Sequence, residues 1–333
     1  MERIESSNNG LQENEQDDEG PFEYDDGDAL VALSQGSNGL PILNGGIRDR
    51  VISHSDIRSA IQLSRDLQSA ALGLLDEFST LDGSRVNYKQ MRNSLQFHHF
   101  VRLSCCFRDV PLGDLAALTS DQRFSMFTNI YNALIIHGTC VVGAPEDTPE
   151  ARSVFFSGAE GVAYEISGLR FTADDIEHGI LRANCRHPYA TPAEQATFLP
   201  DGDPRGALSV SDLDPRVHFV LNCGAKSCPP IKILSDDPEP ALQAGARAYL
   251  ADNVSIIGKY ETDADMEVQI VLPKLLYWYR ADFGQTDYEV LLCVAGMLEA
   301  GSSLRRALET IVRTERRVTV AYDDYDWGSN QTE

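Results

Sequence analysis

The sequence predicts an α+β fold, a helix-rich single domain with a small, mainly antiparallel sheet. Three observations carry that expectation. Apolar residues recur at helical spacing through most of the chain, the few strand-like runs sit beside tight turns, and no strand–helix–strand series repeats. The last point argues against a doubly wound sheet.

Residues 1–50 hold twelve acids against three arginines and few bulky apolar groups. Such a segment cannot offset the entropy of ordering, so the composition predicts a disordered acidic tail, with Ala29–Leu33 as a short apolar cluster inside it. A globular domain is expected over residues 51–328, and a disordered C-terminus over 329–333. Ser53 and Asp56 fit a capping box ahead of Ala60, Leu63, Leu67, Ala71, Leu74 and Phe78 at helical spacing. A second helix is expected from Tyr88 to Cys105. A third, long one follows the capping pair Thr119 and Gln122.

Beyond Gly143 the pattern changes. Ala163–Ile166 and Leu169–Phe171 flank Ser167-Gly168, which predicts a β-hairpin, and a short helix from Asp174 to Ala183 follows. Residues 186–215 are loop. Arg216–Asn222 reads as a strand running into Cys223-Gly224 and Cys228-Pro229-Pro230. The last third predicts a helix at Glu239–Ala251 and strands at Val254–Gly258 and Glu267–Leu272. Helices starting at Pro273, Asp287 and Ser303 come next, then a strand at Val318–Ala321.

The net charge of −23 repels phosphate backbones and anionic bilayers, so neither nucleic acid nor a membrane is an expected partner. A protein or a small molecule is left as the partner class. Seven cysteines at irregular spacing, with no apolar leader before them, fit reduced thiols in the cytoplasm or the nucleus.

Several stretches resemble the family called domain of unknown function 547: Phe127–Leu134 with His137, Asp175–Arg182, Asp214–Phe219 into Asn222-Cys223 and Ser227-Cys228-Pro229, Trp278-Tyr279 with Asp282-Phe283, and Tyr325-Asp326-Trp327. The resemblance covers residues 85–328 and implies no activity. Redox names given to longer relatives belong to an attached glutaredoxin part. No Cys-x-x-Cys occurs in this chain, so spacing gives no thioredoxin-like motif.

Three groups of residues stand out chemically. Asn129, Asn132 and His137 fall within about 140° of arc on an otherwise apolar helix, which suits either a buried hydrogen-bond network or a pocket wall. Asp175, His178 and Arg182 share a face at i, i+3, i+7, with Glu177 directed away from it. An acid beside a histidine fits either a general base or a surface ion pair. Arg216, His218 and Asn222 lead into Cys223 and Cys228. A thiol on that Gly-containing turn suits a nucleophile, its histidine coming from another element such as His137 or His178, or else a small buried hydrophobe. Cys223 and Cys228 lie at the outer limit of zinc spacing with no second pair, so neither a metal nor a cofactor is expected. The sequence therefore leaves a polar pocket of unassigned activity, with a cysteine–histidine hydrolase or transferase and an acidic interaction domain as alternatives.

Overall fold

The computed structural model describes residues 32–46, 59–81, 85–190, 197–258, 267–314 and 317–332. The chain is α+β and mostly helical, and its described residues form sheets of two, two and three strands. No helix among the described residues is long and apolar enough to cross a membrane.

The tail begins to order earlier than composition suggests. Strands β1 (Ser34–Gln35) and β2 (Pro41–Ile42) form a small hairpin, and Ile42, Leu43 and Asn44 are buried. Asn44 fixes it by donating to the Ser104 and Glu165 carbonyls at 3.1 and 2.9 Å and accepting from the Glu165 N–H at 2.8 Å. Acid content averaged over fifty residues hides so short an apolar segment. The C-terminus is paired as well, since the Val86 N–H donates to the Asn330 carbonyl and the Thr332 N–H donates to the Val86 carbonyl. Ala32 and Leu33 are exposed, and the remainder of the apolar cluster lies outside the described residues, as does the Ser53–Asp56 capping pair.

Helix α1 (Ala60–Phe78) is instead capped by Ser59, whose hydroxyl accepts from the Gln62 N–H. The expected second helix is two, α2 (Tyr88–Arg92) and α3 (Leu95–Cys105). Ser94 accepts from the Phe97 N–H and so starts a new helix where a single one was expected. After α4 (Leu112–Ala116) comes α5 (Ser120–Val142), with the complete Thr119–Gln122 capping box. Its run from Phe124 to Cys140 is buried throughout. Helix α6 (Pro149–Ser157) precedes the hairpin of β3 (Ala163–Ile166) and β4 (Leu169–Thr172). Ser167 and Gly168 turn it with φ of 53° and 75°, the left-handed pair that suits a two-residue hairpin.

The expected strand at Arg216–Asn222 is a correction. Pro215–Phe219 is a 3₁₀ turn, started by Asp214, whose carboxylate accepts from the Arg216 N–H at 2.9 Å. Asp-Pro is a helix-start signal, with the capping carboxylate just before proline at the first helical position. This turn lies at a junction. Val217 and Val220 belong to the larger hydrophobic core around α1 and α5, and Phe219 belongs to a second core built by the last third of the chain.

That second core uses α7 (Glu239–Asn253), α8 (Lys274–Trp278), α9 (Arg280–Phe283), α10 (Asp287–Met297) and α11 (Ser303–Arg313). Strands β5 (Ser255–Ile257), β6 (Val268–Leu272) and β7 (Val318–Tyr322) pair antiparallel and then parallel. Gly245 brings α7 against the 3₁₀ turn, since a Cβ there would stand 2.8 Å from the Phe219 carbonyl oxygen and 3.1 Å from Val220. Alanine would ordinarily favour a helix by about 1 kcal/mol over glycine. Gly245→Ala is expected instead to cost ~1–3 kcal/mol through backbone overlap, visible as a lowered thermal midpoint. An unchanged or raised midpoint would mean that the contact relaxes freely.

Candidate functional site

The segment after β4 builds the first polar cluster. Thr172 and Asp175 exchange hydrogen bonds, the Thr172 N–H to the Asp175 carboxylate at 2.9 Å and the Asp175 N–H to the Thr172 hydroxyl at 3.1 Å. Residues Asp175–Leu181 then wind as a wide π-helical turn. Its i→i+5 bonding is seen where the Arg182 N–H donates to the Glu177 carbonyl at 2.8 Å. The wider turn invalidates face assignments made at 3.6 residues per turn. Asp175 leaves the expected stripe and pairs with Arg205 at 2.8 Å. Glu177, expected to point away, is buried inside the cluster.

The Glu177 carboxylate accepts from the Tyr279 hydroxyl at 2.6 Å and from the Tyr131 hydroxyl at 3.2 Å. Arg182 grips Asp282 in a bidentate pair, both contacts 2.8 Å, and it also donates to His178 Nδ1 at 3.0 Å and the Arg186 carbonyl at 3.1 Å. His218 Nε2 lies 2.8 Å from Asp282 Oδ2, and its ring stacks on Tyr279 with centroids 3.8 Å apart. Helix α5, the π turn, the 3₁₀ turn and α9 thus meet through side chains more than sixty residues apart in some pairs.

Burial pushes the Asp282 carboxyl up, but hydrogen bonds from His218 and Arg182 outweigh it and hold the group at about 2. Burial first, and the Arg182 charge second, keep His178 well below the ordinary imidazole range. Because an arginine can only donate, His178 Nδ1 accepts, which puts the ring proton on Nε2. That nitrogen faces Asp174 Oδ1 at 4.0 Å, with the His187 ring edge-on at 4.7 Å. Burial, then the Glu177 charge, raises the Asp174 carboxyl to about 7.

The second cluster is the cysteine loop. Asn132 holds its approach, donating to the Val220 carbonyl at 3.0 Å and accepting from the Asn222 N–H at 2.9 Å. Asn222 closes the loop by donating to the Pro229 carbonyl at 2.8 Å and accepting from the Gly224 N–H at 2.9 Å. Gly224 has φ of 88°, the left-handed conformation that glycine adopts without strain. The turn brings the Cys223 and Cys228 sulfurs to 2.9 Å, although their spacing gave no dithiol motif. Cys228 Sγ also accepts from the Cys223 N–H at 3.2 Å and the Tyr325 hydroxyl at 3.1 Å.

Tyr325 is held by Trp278 and Trp327, ring centroids 5.0 and 4.6 Å away. The segment around it is docked on the loop by the Ser227 N–H to the Asp326 carbonyl and the Lys226 N–H to the Gly328 carbonyl. Burial alone would raise the Cys228 thiol, but the donors around it bring it below the ordinary thiol range. The hydrogen bond to Cys228, with burial, drives Cys223 the other way. A cavity of about 20 Å³, bounded by Arg152, Phe156, Cys223, Gly224 and Trp327, adjoins the loop and has room for a water-sized group.

The remaining expected site residues lie elsewhere. His137 is in the large core, its Nδ1 3.0 Å from the Tyr164 hydroxyl and its ring against Phe97 and Phe100. Asn129 clamps the Leu234 N–H and carbonyl, each at 3.0 Å. Arg216, neutralised by Asp214 and Glu239, lines a separate surface cavity of about 610 Å³. The sulfurs are partnered by each other, Tyr325 and backbone, and His178 and His218 belong to the arginine–aspartate cluster.

Asp174, His187, Tyr279, Asp282 and Tyr325 were not singled out from sequence. Trp278-Tyr279, Asp282 and Tyr325 did lie in the family-like stretches, and Asp174 stands four residues before His178, the two signals that pointed to them. No curated protein and no solved structure matches the chain. Residues 115–250, which carry the π turn, the 3₁₀ turn and the cysteine loop but not Tyr279, Asp282 or Tyr325, match the family described as Protein of unknown function, DUF547, and over that segment the chain resembles this family.

Proposed function

We propose that this domain works through a reactive thiol pair, with Cys228 as nucleophile and Cys223 as its resolving partner. One observation carries the reading: three donors, the Cys223 N–H, the Cys223 thiol and the Tyr325 hydroxyl, stand within 3.2 Å of Cys228 Sγ. Such donors favour the thiolate, the nucleophilic form of cysteine. With sulfur rather than imidazole beside it, exchange with a small-molecule disulfide is the chemistry that suits the pair. The Cys228 thiolate attacks one sulfur of the disulfide, forming a mixed disulfide and expelling the first thiolate. Cys223 then gives up its proton to that leaving thiolate and attacks Cys228 Sγ. The second thiolate departs and takes its proton from solvent, an intramolecular disulfide remains, and the substrate has been reduced to two thiols.

Competitive labelling with iodoacetamide at neutral pH, read by peptide mass spectrometry, tests this. Cys228 is expected to react about tenfold faster than Cys105, Cys140 or Cys293, and Tyr325→Phe is expected to slow it several-fold by removing one donor. Labelling that follows exposure alone, or that ignores the tyrosine substitution, would refute the proposal.

A further inference from the structure

We propose that Asp174, His178 and His187 form a binding site for a divalent transition ion of the zinc class. A carboxylate oxygen and two imidazole nitrogens, one from each residue, lie within 4.8 Å of one another. Asp174 and His178 sit four apart around the π turn, and His187 comes from the loop that follows it. The His178 Nε2–Asp174 distance of 4.0 Å is too long for a hydrogen bond, so these two groups do not satisfy each other directly. Two metal–ligand bonds of about 2.0–2.2 Å at a tetrahedral angle span about 3.4 Å, so this pair stands about half an ångström wider than a bound ion needs. From separations of up to 4.8 Å the three donor atoms must draw in by about an ångström, a shift that side-chain rotation of His187, in the loop, can supply.

The charge around the site favours a cation. The Asp174 and Glu177 carboxylates lie beside the His178 ring, and the Arg182 guanidinium against that ring is already engaged by Asp282. Two imidazoles and one carboxylate are a borderline-soft donor set suited to first-row divalent ions, and three protein ligands leave a position for water.

The hydrogen bonding also supplies the required support. Binding through His178 Nε2 moves the ring proton to Nδ1, which then needs an acceptor. Glu177 Oε1 stands 3.9 Å from that nitrogen. Arg182, which donates to Nδ1 in this structure, keeps the Arg186 carbonyl at 3.1 Å as a partner. Metal loading therefore exchanges Arg182 for Glu177 at His178, a change of tautomer with its own signature.

The test uses the full chain after chelation and dialysis, with Zn²⁺ and Co²⁺ as probes and mass-spectrometric metal counting. One ion per chain is expected. His187→Ala and Asp174→Asn are each expected to weaken binding by about tenfold or more, and Asp174→Asn is nearly isosteric, so it keeps the test valid should the alanine variant fold poorly. The Cys223→Ser, Cys228→Ser double variant should still bind one ion, and the Co²⁺ form should lack a sulfur-to-metal charge-transfer band. Nitrogen NMR of the wild-type chain should show His178 passing from the Nε2–H to the Nδ1–H tautomer on adding Zn²⁺. Substoichiometric metal, or an ion lost with the cysteines but retained in the His187 and Asp174 variants, would overturn the proposal. Because neither cysteine is a ligand here, these results are independent of the thiol labelling above.

Discussion

Arg182→Met is expected to destabilise the fold by ~3–5 kcal/mol, the largest single-site loss predicted for this chain, because it leaves the Asp282 charge buried with His218 as its remaining side-chain partner. The Arg182 and Asp282 side chains are only 4% and 5% exposed, so solvent screens the pair little. The two residues lie a hundred positions apart and join the π turn to α9. Urea denaturation should show a lower midpoint with an unchanged slope. Arg182→Met combined with Asp282→Leu should recover much of the loss, since the penalty is the unpaired charge rather than an absent attraction. A single-variant loss below about 1 kcal/mol would show that water reaches the pair.

Acid should weaken the fold through His137. Burial lowers this imidazole from 6.5 to about 3, and among the described residues its Nε2 has no hydrogen-bond partner. Between those two values the unfolded chain binds the extra proton and the folded chain does not. The contribution is therefore fully present above pH 6.5 and is lost as pH falls towards 3, at about 1.4 kcal/mol per pH unit. His137→Leu should lose stability at pH 7, because the contact with the Tyr164 hydroxyl goes, yet show a shallower decline between pH 6.5 and 4. His178 contributes to the decline with the same sign, Asp174 with the opposite one, and Asp282 only from about 4 down to about 2; all three are common to both proteins, so the difference between the two slopes isolates His137. Parallel slopes in urea titrations across that range would show that His137 ionises without leaving the core.

Helix caps and turns were legible because they are local. Thr119 and Gln122 and the Ser167-Gly168 turn involve groups within four residues of each other. The residues that failed a local reading did so for identifiable reasons. Asp214-Pro215 starts a 3₁₀ turn where a strand was expected, and the five consecutive residues from Val217 to Leu221 are all buried, which is not the one-sided burial of a strand. Glu177 was aimed the wrong way because a π turn does not advance 100° per residue. Cys223 and Cys228 were judged by spacing, whereas Gly224 and the two asparagine clamps fold that spacing back on itself.

By itself the sequence determined the helix-rich α+β class, most helix starts, and the stretches in which the polar residues lie. Only the tertiary structure sorted those residues, sending His137 and Asn129 into the core, Glu177, His178, Arg182 and His218 into one cluster, and the two thiols into another. Hydrogen bonds such as those of Arg182 to Asp282 and Tyr325 to Cys228 close between segments about a hundred residues apart. Their partners are chosen by how the two hydrophobic cores dock rather than by any local propensity.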